Sequence, residues 1–159
     1  MPRITALLHT YNDALRLGRC LETLYACDEL VIIDHGSEDD TLQIARAYAA
    51  KVIAPTSAKA APLPFVAGWV LCLDPRESLT EGLTASLFEW KSEWKSESLS
   101  AAAAFSVFLR EETAEGWIDH PQPQTRLVPA SWDLCQRRLP VNEPSSRSLE
   151  GRLLRFAFP

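Results

Sequence analysis

The sequence predicts an α/β fold built on a mainly parallel central sheet, and three observations predict it. Short apolar runs alternate with stretches of helical periodicity through the first 53 residues, in the order β-α-β-α-β. Consecutive crossovers of that kind make the strands parallel and the connections right-handed. The run Leu30-Val31-Ile32-Ile33 is continuously apolar rather than alternating, as strands covered on both faces are.

Ile4 to Leu8 is β-favouring and breaks at His9-Thr10-Tyr11-Asn12, after which Leu15, Leu17, Leu21, Leu24 and Tyr25 recur at largely helical spacing. The second strand, Leu30 to Ile33, ends at Asp34-His35-Gly36. A second helix is expected from Ser37, which stands as an N-cap with Asp40 three residues on, where an acid complements the positive helix end. Leu42, Ile44, Ala45, Tyr48 and Ala49 supply its buried side, and Val52-Ile53 a third strand.

Residues 54–68 hold three prolines and read as a connector without a long helix. Trp69 to Leu73 is again a buried-strand pattern and delivers Asp74 to its carboxyl end, where open α/β sheets bind their ligands. Leu79, Leu83, Leu87, Trp90 and Trp94 then keep steps of three or four, so a helix is expected from Ser78 to about Ser96, with both tryptophans in a core stripe. Ala101 to Leu109, Gly116 to Ile118 and Arg126 to Val128 are further strands.

Composition narrows the function. A chain of 159 residues with 47% apolar and 23% charged side chains forms one ordinary globular domain. The net charge of −5 is concentrated in residues 1–100, with 9 basic and 14 acidic side chains, while residues 101–159 carry 7 of each. Nucleic acid is therefore not an expected partner, since its binders present a dense basic face. Cys20, Cys27, Cys72 and Cys135 form no C-x-x-C pair and sit among apolar neighbours, as reduced core thiols do. His9, His35 and His120 lack the spacing of a zinc site. The sequence predicts neither a signal peptide nor a membrane span. No G-x-G-x-x-G or Walker loop follows the first strand, which disfavours a generic dinucleotide or P-loop site.

Three segments in order resemble family 2 glycosyltransferases. Ile4 to Asp13 resembles the family's opening strand and T-Y-N-[ED] loop. Val31 to Thr41, VIIDHGSEDDT, resembles its V-[VI]-D-x-[GS]-S-x-D-G-T segment, and Trp69 to Glu77, WVLCLDPRE, its W-[IV]-L-x-L-D-x-D-E strand end. Later stretches are similar more loosely: Thr125 to Val128 to an R-L-F strand, Val141-Asn142-Glu143 to a V-H-E element, and Leu149 to Phe156 to the terminal segment. The nearest subgroup is that of small bacterial enzymes adding sugars to lipopolysaccharide core or other lipid-linked acceptors.

The resemblance implies a nucleotide-diphospho-sugar transferase fold of the glycosyltransferase A type, Rossmann-like and truncated. Residues 1–77 would be the nucleotide-binding part and residues 78–159 the acceptor side. The implied activity is hexose transfer, with inversion, from a nucleoside diphosphate sugar to a hydroxyl of a glycan or lipid-linked acceptor. Thr10, Tyr11 and Asn12 would frame the base and ribose, with Asp13 a further substrate-binding residue, Asp34 would accept a hydrogen bond from the base, and Asp74 would meet the ribose or a diphosphate-bound magnesium or manganese ion. Such ligands need carboxylate acceptors and compensation of diphosphate charge.

At the second acid of the family's D-x-D pair this chain has Arg76. Two readings follow: a permanent cation for the diphosphate, or a helix-start arginine paired with Glu77 or Glu81. A catalytically degenerate binding or scaffold module is the rival to the enzyme. Candidate proton acceptors are Glu143 and Asp119, with His120 beside it. Residues 137–159 hold five arginines against two glutamates, which suits peripheral contact with an anionic membrane surface. The expected location is the cytoplasm, reaching the inner membrane face.

Overall fold

The computed structural model describes residues 1–58, 68–94, 102–134 and 139–159. Cys135 and the middle of the expected connector fall outside them.

The first half follows the expected alternation. Strand β1 (Ile4–Thr10) leads through helix α1 (Ala14–Glu22) to β2 (Glu29–Asp34), then through α2 (Thr41–Ala47) to β3 (Lys51–Ile53), the four-residue α3 (Pro55–Ala58) and β4 (Trp69–Leu73). β1 pairs in parallel with both β2 and β4, and β2 with β3, giving the order β3-β2-β1-β4. The chain thus builds outward from β1 on one side and then crosses to its other side. A crevice opens at such a reversal, at the carboxyl ends of the strands.

The second half extends this sheet with mixed pairing. After β4 come β5 (Glu77–Leu79), α4 (Glu81–Glu93), β6 (Phe105–Thr113), β7 (Gly116–Asp119), β8 (Gln124–Pro129) and β9 (Arg147–Arg155). The order continues β4-β8-β6-β9-β5, with β7 a hairpin partner of β6. β8 is antiparallel to β4 and β6, while β9 is parallel to β6 and antiparallel to β5. Strand β5 spans residues 77 and 78, where the two halves were expected to divide.

One face of the sheet carries the larger core. Ile4, Ala6, Leu8, Ile32, Leu71 and Phe105 meet Leu17, Cys20 and Leu21 of α1, Ala45 of α2, and Leu83, Leu87 and Trp90 of α4. The expected tryptophan stripe is part of it, with Trp69, Trp90, Trp94 and Phe105 packed mostly edge-to-face at 5.0–5.5 Å between ring centroids. The alternate residues, Leu7, Val31, Ile33, Val70, Cys72 and Val128, form a second cluster closed by Trp132, Leu134 and Leu139. Both faces of the inner strands are buried, which is why their sequences do not alternate. Cys20 and Cys72 are buried free thiols, and burial pushes Cys72 up to about 12.

Several boundaries differ from the sequence expectation. α2 starts at Thr41, four residues later than expected, with Asp40 at its N-cap position and no side-chain cap bond, because Ser37 is engaged elsewhere. Ser78 and Leu79 lie in β5 rather than in a helix, and Thr80 caps α4, its hydroxyl accepting from Leu83 N at 3.3 Å. The strand expected at Ala101 starts at Phe105. Leu15, Tyr25 and Ala49, assigned to buried helix faces, are exposed. Leu15 lies on the outer side of α1 and Tyr25 beyond its end, while Leu17, Cys20 and Leu21 seat the helix.

Gly151 lets the last strand close against α4. It has φ +94°, sits where the β6–β9 register shifts, and a Cβ there would meet Leu83 N at 2.3 Å. Only a residue without a side chain fits so close a backbone approach.

Candidate functional site

The loops after β1 and β2 are tied to each other by their own side chains. Asp34, at the end of β2, is buried and accepts four hydrogen bonds: Thr10 Oγ1 (2.8 Å) and Ser37 Oγ (2.6 Å) on Oδ1, Gly36 N (3.1 Å) and Ser37 N (2.9 Å) on Oδ2. Burial opposes its charge, yet Ser37, Thr10 and Gly36 together hold the carboxyl below the usual range. With both oxygens doubly used, Asp34 acts here as the organiser of its loop.

The same stitching continues outward. Asn12 adopts φ +50°, a left-handed conformation that asparagine tolerates. Its amide donates to Ser37 Oγ (2.9 Å), and its Oδ1 accepts from Glu38 N (2.8 Å). Asp13 N donates to Thr41 Oγ1 (2.9 Å), Ala14 N donates to Asp39 Oδ2 (3.1 Å), and Thr41 Oγ1 bonds Asp39 Oδ1. Asp39 thereby satisfies the first turn of α1 from the neighbouring loop. Asp13 itself folds back to accept from Tyr11 N (2.9 Å), and Tyr11 is 48% exposed. His9 and His35, expected at adjoining strand ends, meet with Nδ1 2.9 Å from Nε2 and rings stacked. His9 Nε2 also lies 3.2 Å from Leu134 O.

Beside these loops a cleft of about 400 Å³ opens between the ends of β1 and β4, at the strand-order reversal. Leu7, Cys72, Leu73 and Leu134 form its apolar wall, and His9, Asp13, Arg16, Asp74 and Arg76 bring polar groups to it. The volume and the mixture suit a small polar ligand with an apolar floor. Arg76 does not pair with Glu77 or Glu81. It lies on Asp74, Nε 2.9 Å from Oδ1 and Nη2 3.3 Å from Oδ2, while its amide donates to the same Oδ1 at 2.9 Å. Burial opposes the Asp74 charge, but these Arg76 bonds, with the charges of Arg76 and Arg155, keep its carboxyl below the ordinary range.

Under the Asp74–Arg76 turn lies a buried charge layer. Glu77 is fully buried; its Oε1 accepts from Asp74 N (2.8 Å) and Arg126 Nη1 (2.6 Å), and its Oε2 from Arg126 Nη2 (2.8 Å) and Arg155 Nη2 (2.9 Å). Arg126 also donates to Cys72 O (3.2 Å). Arg155 reaches Glu111 (3.5 Å), which in turn meets His120 Nε2 (3.0 Å). The strand end bearing Asp74 is thus fixed by residues from β5, β8 and β9.

The other sequence-predicted candidates lie elsewhere. Asp119, at the end of β7, is half exposed and pairs with Arg110 (3.2 Å) and Arg152 (3.5 Å). Glu143 accepts from Ser145 Oγ (2.8 Å) and Ser145 N (3.2 Å) in a turn, while its amide donates to Thr125 Oγ1 (2.8 Å). Neither is among the described residues lining the cleft. Arg152 and Arg155, part of the expected membrane-facing basic segment, are paired within the protein. No described helix is long and apolar enough to cross a membrane. Sequence reasoning missed Arg16, Arg126 and the burial of Glu77. The available signal was Arg126 inside the apolar strand run Thr125 to Val128, which requires a buried acid.

Comparison with known proteins bears on the fold and on the first third of the sequence. Residues 5–59 match the glycosyl transferase family 2 model. An uncharacterized glycosyltransferase of Rickettsia felis is 33% identical over 90 residues, covering 52% of this chain and 32% of the relative. The lipopolysaccharide core biosynthesis glycosyltransferase LpsC of Rhizobium meliloti is 38% identical over 45 residues, covering 28% of this chain and 17% of LpsC. The matches thus span a third or less of these relatives' length. Among solved structures, S. aureus TarS 1–349 in complex with UDP-GlcNAc superposes with TM-score 0.55 at 20% identity, over 76% of this chain and 37% of that one. Glucosyl-3-phosphoglycerate synthase from Mycobacterium tuberculosis, in complex with Mn2+, UDP-glucose and phosphoglyceric acid, gives 0.50 at 20%, over 69% and 44%. Together these establish an α/β fold of the glycosyltransferase A type, in which residues 5–59 are similar to the glycosyl transferase family 2 model.

Proposed function

We propose that this chain binds a nucleoside diphosphate sugar in the cleft at the ends of β1 and β4 and transfers its hexose to a hydroxyl of a glycan or lipid-linked acceptor. The observation that carries this reading is the interlocked pair of loops, Thr10 to Asp13 with Asp34 to Thr41, set beside Asp74 at the strand-order reversal. Preorganised loops of this kind hold a ligand without ordering themselves on binding. Tyr11, Asn12 and Asp13 would meet the base and ribose, with Thr10 and Asp34 holding the loop that does so. The structural neighbours named with UDP-sugars support the donor class, and LpsC supports a saccharide acceptor.

The incoming hydroxyl needs a proton acceptor, and Glu143 and Asp119 are the proposed carboxylates. That neither lines the cleft favours a second reading, a nucleotide-sugar-binding module without turnover. Incubation with a panel of UDP-, GDP- and dTDP-sugars, with and without saccharide acceptors, decides between them. Release of nucleotide that depends on acceptor supports transfer; binding with neither hydrolysis nor transfer supports the module; no binding of any nucleotide removes both.

A further inference from the structure

The cleft holds a pair of guanidinium groups where the resemblance implies a divalent cation. Such an ion in a nucleotide site needs carboxylate oxygens turned toward it, completed by phosphate and water. Asp74 does not offer them: Oδ1 accepts both the amide and Nε of Arg76, and Oδ2 receives Nη2. The position two residues on, which would complete the ligand pair, is Arg76 itself. A dication placed at Asp74 would sit against a fixed positive charge only a few ångström away. Among the described residues, no group of three or more His, Cys, Asp or Glu side chains is arranged to hold an ion. The residues present do not fit a metal.

They do fit an anion. Arg76 is 45% exposed, so its guanidinium faces both Asp74 and the cleft. Arg16 reaches the same cleft from the first turn of α1, and its nearest approach to a carboxylate is a loose 4.0 Å from Nη1 to Asp13 Oδ1. Its Nε is buried without a hydrogen-bond partner. The two guanidiniums together supply the positive charge that a divalent ion would bring, and their forked donors match phosphate oxygens.

Taking the cleft as a donor site, as proposed above, we infer that Arg16 and Arg76 bind the diphosphate directly, so that the nucleotide is held without a divalent metal. Asp74 then positions Arg76, and the buried Glu77–Arg126 pair positions Asp74.

The test is calorimetric titration of the whole chain with UDP, in EDTA and again with manganese or magnesium, with inorganic pyrophosphate as competitor. Binding in EDTA should match that in manganese within about threefold, and pyrophosphate should displace UDP. Arg16→Ala and Arg76→Ala should each weaken binding in EDTA by roughly tenfold or more, the scale of a lost charge-assisted hydrogen bond. Arg76→Lys should recover part of the loss. Arg76→Asp, which restores a second carboxylate, should weaken binding in EDTA and regain it with manganese. UDP binding only in the presence of metal, indifference to both arginine substitutions, or failure of pyrophosphate to compete would overturn the inference while leaving the donor site standing. Absence of UDP binding in every condition would overturn both.

Discussion

Arg126 and Glu77 meet in a two-pronged ion pair, 2.6 and 2.8 Å, with neither side chain open to solvent. Removing Glu77 strands the Arg126 charge in the interior, at a cost of about 3–5 kcal/mol, removing Arg126 leaves Glu77 its bond to Arg155, and exchanging a buried pair for apolar residues of similar volume is close to neutral. Glu77→Met should therefore lower the denaturation midpoint strongly and Arg126→Met less, since Arg155 still meets Glu77. The double variant should recover part of the Glu77→Met loss, with Arg155 and the Asp74 amide still deprived of Glu77. Additive losses in urea unfolding would show that the pair does not act as a unit. Because Glu77 also receives the Asp74 amide, the double variant should still lose nucleotide affinity even where stability returns.

The loop clamp around Asp34 makes an acid-pH prediction. Its folded pKa is depressed, so its contribution to stability is fully present above the unfolded value near 4 and is lost as pH falls through the lower folded value. Asp74 follows the same direction. Melting temperature should hold from neutral pH down to about 4 and drop below it. Asp34→Asn should lower it at neutral pH and flatten the acid limb; an unchanged limb would assign acid sensitivity elsewhere.

Thr10→Val isolates one stitch of that clamp. The hydroxyl lost is buried and leaves Asp34 one donor short, a cost of about 1–3 kcal/mol. Nucleotide affinity should fall with it, because the loop bearing Tyr11 and Asn12 loses its anchor. Full affinity in a destabilised variant would separate the clamp from the site.

Two glycines with positive φ provide a paired test of close approach. Gly116→Ala, with nothing within 4 Å of its Cβ, should cost only the backbone strain of about 1–3 kcal/mol. Gly151→Ala adds a collision with Leu83 and Gly82 and should cost distinctly more. Equal midpoints in chemical denaturation would show that β9 can withdraw from α4.

The proposed proton acceptors separate by kinetics. If transfer occurs, replacing the serving carboxylate should lower kcat by roughly 10²–10⁴ with UDP affinity retained. Glu143→Gln is the expected case. Asp119→Asn, which breaks exposed pairs with Arg110 and Arg152, should change stability by less than about 1 kcal/mol. Unchanged kcat in both variants would move the base to another group.

The sequence by itself determined the parallel half of the sheet, because strands buried on both faces are written as continuous apolar runs and their crossovers permit one handedness. It also placed Thr10 to Asp13, Asp34 and Asp74 at strand ends, where the continuous apolar runs stop. The start of α2 was not legible, because Ser37 has two chemically adequate roles and the loop took it to hold Asp34 and Asn12. Strand β5 was equally hidden: its three residues form a strand only through their pairing with β9, more than 70 residues away. The tertiary structure alone decided the state of the site. Whether Arg76 faces Asp74 or a neighbouring glutamate, whether Glu77 is buried, and whether Arg16 shares its cleft all depend on charges brought together from the turn after β4 and from β5, β8, β9 and α1. Local sequence records which charges exist, and long-range packing decides which of them meet.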